Sequence, residues 1–226
     1  MAGLIAALDT ADAVKAQAWA DILAPHCGMM KLGLEFMMAQ GPAGVRGIAA
    51  RPVFLDLKLH DIPNTVAGAV LAILPLRPRM MTLHAAGGSA MIEAARRAAD
   101  SVDGPPLLLA VTVLTSLDSS ALHATGVAGG PRQQVLRLAR LALAAGADGL
   151  VCSAHEASML RDALGAAPVL VVPGIRPADA DPGDQMRTMT PRQAVDAGAD
   201  WIVVGRPITG AGDPARAAAA IAAEIA

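Results

Sequence analysis

Asp56 and Lys58 stand two residues apart in the apolar run Val53-Phe-Leu-Asp-Leu-Lys-Leu59, and Asp61 follows three residues after Lys58. On a β-strand, side chains two apart point to the same side, so this run sets a carboxylate and an ammonium on one face. A second lysine, Lys31, sits in the preceding apolar run, Met29–Leu32. Such a set could be an ion pair that braces the fold. Buried pairs return little net stability after desolvation, however, and a preorganised field explains the pattern better. Asp, Lys and Asp in alternation, with a second Lys on the adjacent strand, keep a lysine protonated. They also hold the departing carboxylate of a bound anion under repulsion.

Other polar residues stand where apolar runs stop. Asp9 follows Leu4–Leu8, His84 follows Met80–Leu83, and Thr115 and Ser116 follow Leu107–Val113. Arg176 comes shortly after Val169–Val172, and Gly205-Arg206 directly after Trp201–Val204. A Gly-Arg-Pro at the end of an apolar strand suits a phosphate: glycine lets the backbone approach, and the guanidinium offers a forked donor set. His84 reads equally well as a packed, hydrogen-bonded histidine and is assigned no role. The other histidines, at 26, 60, 123 and 155, share no metal-ligand spacing. Cys27 and Cys152 are too few and too far apart for a disulfide scaffold or a zinc site, so they read as buried thiols of a reducing cytoplasm.

These residues need elements to hold them. Eight short apolar runs read as strands: Val53–Leu57, the six others named above, and Gly149–Cys152. Between them lie Ala/Leu-rich helical stretches such as 12–23, 62–74, 89–100, 133–145, 155–164 and 214–225. Eight strands alternating with helices predict an α/β fold, a closed (β/α)8 TIM barrel as one domain over residues 1–226, in preference to a doubly wound sheet. Active sites of such barrels form at the C-terminal ends of the strands, where every candidate above falls. The stretch Arg176 to Thr190 lacks periodicity and reads as a loop that closes over the site or as an ordinary exposed one.

Composition limits the partners. A net charge of −2, two Phe and no Tyr give neither the basic surface nor the stacking platform of a nucleic-acid binder. No apolar stretch has the length of a membrane span, and the start of the chain carries no basic leader. The expected partner is a small molecule met by a few placed Lys and Arg.

The segment from Val53 to Thr65 resembles the signature of the orotidine monophosphate decarboxylase family, Asp-x-Lys-x-x-Asp-Ile-x-x-Thr. Further segments resemble that family in its order, among them Lys31-Leu-Gly-Leu-Glu35, His84-Ala-Ala-Gly-Gly88, Pro173-Gly-Ile-Arg176 and Gly205-Arg-Pro-Ile-Thr209. The resemblance implies cytoplasmic decarboxylation of the nucleotide orotidine 5′-monophosphate to uridine 5′-monophosphate, in pyrimidine biosynthesis, without metal or cofactor. It implies Lys58 as the proton donor to carbon 6, Asp56 beside the substrate carboxylate, and Lys31 as a bridge between the acidic residues and the ribose. Asp9 would bind a ribose hydroxyl and Thr115 the pyrimidine. Gln185, Gly205 and Arg206 would hold the phosphate, with Arg176 at the base of the closing loop. It also implies a homodimer with shared sites, to which Asp61 and Thr65 reach across the interface.

Magnesium-dependent sugar-phosphate lyases of the same superfamily, of the keto-gulonate phosphate decarboxylase or hexulose phosphate synthase type, share Asp-x-Lys-x-x-Asp. They carry an acidic residue where Lys31 stands, which favours the pyrimidine enzyme. A non-catalytic phosphate-binding barrel is a further alternative, disfavoured by the intact Lys31, Asp56, Lys58 and Asp61 set. One departure concerns stability: Leu74-Pro-Leu-Arg-Pro-Arg79 stands where a glycine-containing turn is expected.

Overall fold

Each apolar run is packed between a barrel interior and a layer of helices, so both strand faces are buried and no polar alternation is needed. The computed structural model describes residues 2–48, 51–177 and 189–226. Its strands are β1 (Gly3–Ala7), β2 (Met29–Gly33), β3 (Val53–Leu59), β4 (Met80–His84), β5 (Leu107–Val111), β6 (Gly149–Val151), β7 (Val169–Val172) and β8 (Trp201–Val204). They pair in parallel in chain order, and β8 returns to β1 to close the barrel. The expected (β/α)8 architecture is therefore present. Strand ends differ from the apolar runs by one or two residues: β5 stops at Val111, β1 at Ala7 and β6 at Val151, while β2, β3 and β4 run on to Gly33, Leu59 and His84.

The helices are α1 (Ala13–Leu23), α2 (Leu34–Gly47), α3 (Pro63–Ile73), α4 (Ser89–Ala99), α5 (Ser119–Ala124), α6 (Pro131–Ala144), α7 (Ala154–Leu164), α8 (Pro191–Asp196), α9 (Arg206–Thr209) and α10 (Pro214–Ile225). Asp12 precedes α1 as its N-cap, accepting from the Val14 and Lys15 amides at 2.8 and 3.2 Å. No helix of the described residues is long and apolar enough to cross a membrane.

The barrel interior is built in layers. Ile5, Met29, Phe54, Met80 and Leu109 form a buried apolar layer with Val171 and Val203 above their strand starts. Two residues further along β2, β3 and β4 the same inward direction falls to Lys31, Asp56 and Thr82, whereas on β5 and β6 it falls to Val111 and Val151. The interior layer below the barrel mouth is thus polar on one side and aliphatic on the other.

The N-terminal face is closed by two copies of one device. Asp148, just before β6, accepts from Arg96 Nη1 at 2.8 Å and from the Leu108 amide at 2.7 Å. Asp200, just before β8, accepts from Arg161 Nη2 at 2.5 Å and from the Leu170 amide at 2.7 Å. In each copy a Gly-Ala-Asp triplet leads into the strand, and the carboxylate ties a helix arginine to the preceding strand.

The unusual connection before β4 also lies at this face. Leu74–Leu76 form one 3-10 turn, and Arg77 follows at φ 49°, ψ 50°. An arginine therefore holds the left-handed conformation that the missing glycine would adopt at a cost lower by roughly 1–2 kcal/mol. Arg77→Gly is expected to stabilise the fold by about 0.5–1 kcal/mol, after allowing for the greater freedom of glycine in the unfolded chain. Urea denaturation of the two proteins measures this, and an unchanged or lower midpoint would contradict it.

Candidate active site

Strand β3 does not continue as a regular strand past Leu55. Leu55 pairs with Met81 and Leu59 with Leu83, so four residue steps on β3 face two on β4. The surplus is absorbed by a bulge, within which Lys58 takes φ 50°. Simple alternation would have put Asp56 and Lys58 side by side on a flat strand. Here the bulge folds Lys58 back so that its Nζ donates to Asp56 Oδ1 at 2.7 Å.

Asp56 is the hub. Its Oδ1 also accepts from Thr82 Oγ1 at 3.0 Å, and its Oδ2 lies 3.5 Å from Lys31 Nζ. Lys31 Nζ donates in turn to Asp9 Oδ1 at 3.1 Å. Gly33 leaves room for that contact, since a Cβ there would lie 3.3 Å from Lys31 Nζ and 3.4 Å from Asp9 Oδ1. Side-chain exposure runs from 10% at Lys31 and 15% at Asp56 to 30% at Lys58 and 59% at Asp9. The array therefore passes from the barrel interior out to its mouth.

Burial pushes the Asp56 carboxyl up, but Lys31 and Lys58, with the hydrogen bonds from Lys58 and Thr82, outweigh it and hold the group below its ordinary value of 3.8. His84, its ring centroid 5.4 Å from that of His60, also has its pKa lowered, which for an imidazole favours the neutral form. Burial lowers its pKa first, and the neighbouring His60 and Lys58 lower it further against the opposing pull of Asp56. A neutral, packed His84 agrees with its having been assigned no role.

Beside the array is a cavity of about 210 Å³. Lys31, Asp56 and Lys58 line one side, and Val111, Val151, Val171 and Val203 line the other, over Phe54. Cys152 lines it too; burial raises its thiol pKa far above the ordinary value, so it stays protonated and inert. Such a chamber offers one charged wall and one low-dielectric wall, in which fixed charges act more strongly than in water.

The chain matches the family model described as "Orotidine 5'-phosphate decarboxylase / HUMPS family" over residues 3–221. It belongs to that family. A relative named orotidine 5'-phosphate decarboxylase from Gluconobacter oxydans is 58% identical, over 99% of this chain and 97% of the relative. One of the same name from Anaeromyxobacter dehalogenans is 56% identical, over 98% and 97%. The crystal structure of orotidine 5'-phosphate decarboxylase from Lactobacillus acidophilus superposes with a TM-score of 0.87 at 36% identity, covering 100% of this chain and 99% of that one.

Of the family-pattern residues, Asp9, Lys31, Asp56 and Lys58 come together directly. Thr115 lines the same cavity. Asp61 does not join the array within its own chain: it is exposed, and its Oδ1 accepts from the Ile62 amide at 2.6 Å. Thr65 is exposed in the first turn of α3. Gly205 adjoins the array's outer end, where a Cβ on it would lie 3.7 Å from Asp9 Oδ2. Arg206 follows as the first residue of α9, exposed at the mouth. Arg176 is buried, with Nη1 donating to the Ile175 carbonyl at 3.0 Å. Gln185 and most of the 176–190 loop lie outside the described residues.

Thr82 was not singled out in the sequence, where Met80-Met-Thr-Leu-His84 reads as a buried run. The available signal was its place two residues after Met80 on the strand beside Asp56.

The folded-state pKa of Asp56 lies below its unfolded value, so the group adds stability above that value. The contribution is lost as pH falls through the folded-state pKa. Lys31→Met removes one of the cations responsible, so the Asp56 carboxyl is expected to titrate at higher pH than in the wild type. A ¹³C NMR titration of the carboxyl carbon measures this, and an unmoved midpoint would show that Lys31 does not set the field at Asp56.

Proposed function

We propose that this family member decarboxylates orotidine 5′-monophosphate to uridine 5′-monophosphate. The observation that carries the reading is the Lys31–Asp56–Lys58 array facing an aliphatic wall. The cavity of about 210 Å³ is smaller than the roughly 300 Å³ and above of drug-sized ligand sites. It suits a planar ring, with ribose and phosphate extending to the mouth.

The carboxylate on carbon 6 sits beside Asp56, and the repulsion between two anions raises the energy of the bound substrate. The carbon–carbon bond breaks, carbon dioxide leaves toward the aliphatic wall, and the electron pair stays on carbon 6. The ring cannot spread that charge well, so the Lys58 ammonium stabilises it and then transfers a proton from Nζ to carbon 6. Lys58 afterwards regains a proton from solvent. Lys31 holds Asp9 and Asp56 and reaches the ribose, and Asp9 takes a ribose hydroxyl. Thr115 contacts the pyrimidine. Gly205, Arg206 and Gln185 bind the phosphate, with Arg176 at the base of the loop; their binding energy is spent in assembling the site.

Lys31 also bears on the magnesium-dependent lyases, since its ammonium stands between Asp9 and Asp56, occupies both carboxylates and repels a divalent cation there. The reading puts the enzyme in the reducing cytoplasm, in keeping with buried free thiols at Cys27 and Cys152.

Lys58→Ala is expected to abolish turnover with the fold intact, and the wild type is expected to keep its rate in excess chelator. Absorbance of the substrate follows both. Near-normal turnover in Lys58→Ala would sink the mechanism, and loss of wild-type activity to the chelator would point to the lyases.

The working unit is a homodimer with shared sites. Support comes from Leu34 and Met38, one turn apart on α2, and from Ile62 at the entry to α3, which are 48%, 75% and 67% exposed. Ile62 directly follows Asp61 and stands three residues before Thr65, and an isologous contact through exposed apolar groups such as these carries both residues to the other subunit. Inactive Lys58→Ala and Asp61→Ala chains are therefore expected to complement when co-refolded. Each mixed dimer has one intact site, so random pairing restores about a quarter of wild-type activity. No recovery, with mixed dimers confirmed by mass, would assign Asp61 to its own chain.

A further inference from the structure

Thr82 is wholly buried, at 0% exposure, yet its hydroxyl touches two members of the array. The Lys58 backbone amide donates to Thr82 Oγ1 at 2.8 Å, and Thr82 Oγ1 donates to Asp56 Oδ1 at 3.0 Å. We propose that Thr82 is a positioning residue, which holds Lys58 in its bulge and aims Asp56 at the same point.

The bulge creates the need. With two surplus residues on β3 between Leu55 and Leu59, the ladder to β4 is interrupted at Lys58. A left-handed lysine inside a strand is a strained conformation that persists only where its surroundings fix it, and a buried amide there must have an acceptor. The Thr82 side chain supplies that acceptor from β4 in place of a backbone carbonyl. A hydroxyl has a single hydrogen, so accepting from the amide and donating to the carboxylate together define one orientation. Threonine is also stiff at χ1, which makes the link rigid. One side chain thereby couples the backbone of the proposed proton donor to the carboxylate that its ammonium faces.

The proposal rests on the decarboxylase reading, and Thr82 itself touches no substrate in it. Thr82→Val keeps the shape and removes both hydrogen bonds; Thr82→Ser keeps the hydroxyl. Turnover of orotidine 5′-monophosphate is expected to fall about 10- to 100-fold in kcat for Thr82→Val, the scale of a misplaced catalytic group. KM is expected to change less than about threefold, because the outer binding groups are untouched. Thr82→Ser should recover kcat to within about fivefold of the wild type. Independently of activity, hydrogen exchange at the Lys58 amide, read by NMR, should quicken in Thr82→Val and stay slow in Thr82→Ser. If Thr82→Val does not fold, Thr82→Ala removes the hydroxyl without adding bulk and takes its place in every measurement. Unchanged kcat in the hydroxyl-free variant, an equal fall in Thr82→Ser, or unchanged Lys58 exchange would each overturn the proposal. An inactive wild type would instead overturn the decarboxylase reading, and the exchange measurement would still decide whether Thr82 holds Lys58.

Discussion

A carboxylate that is 15% exposed and pressed between two ammonium groups is costly to build, and the rest of the barrel is arranged around it. Removing Asp56 from water would by itself favour its neutral form. Lys31 and Lys58 reverse that, but each must then be held in a place where it too is poorly solvated. The outcome is a chain of contacts from Asp9 at the end of β1 through Lys31 of β2 to Asp56 and Lys58 of β3. Rigid strands are suited to this, because a charge that could swing away would be solvated again and the field would collapse.

The barrel delivers the array by two steps of different kinds. Alternation along β2, β3 and β4 sets Lys31, Asp56 and Thr82 in one interior layer, directly above an apolar one. Alternation alone does not produce the Lys58–Asp56 contact. That needs the bulge after Leu55 and the left-handed backbone at Lys58. Among the described residues two non-glycines have positive φ, Lys58 and Arg77, and they lie at opposite ends of the barrel. At Arg77 the conformation serves only a turn, whereas at Lys58 it directs a side chain.

Much of this was legible in the sequence because the signals are one-dimensional. Short apolar runs with helical stretches between them gave the strands and their order, and polar residues at the run ends gave Asp9, Lys31, Asp56 and Lys58. Other parts depend on pairing between strands, which no single run encodes. The extra residues in β3 are surplus only relative to β4, and Thr82 has a polar role only because Asp56 lies beside it. Asp61, expected to reach across a dimer interface, turns outward within its own chain and accepts from the Ile62 amide.

The interior divides by strand: β1 to β3 carry the charges and β4 the Thr82 hydroxyl, while β5 to β8 supply Val111, Val151, Val171 and Val203. The aliphatic half is anchored at its far end by its own carboxylate clamps, Asp148 with Arg96 and Asp200 with Arg161, which share no atom with the array. Steric fit and reactivity are thereby assigned to separate stretches of the chain. Enlarging or trimming the valine wall changes which ring edges the chamber admits and leaves the electrostatics intact. The valine wall is accordingly the place for selection to alter substrate shape, and the charged array is the place where a change is felt as lost rate.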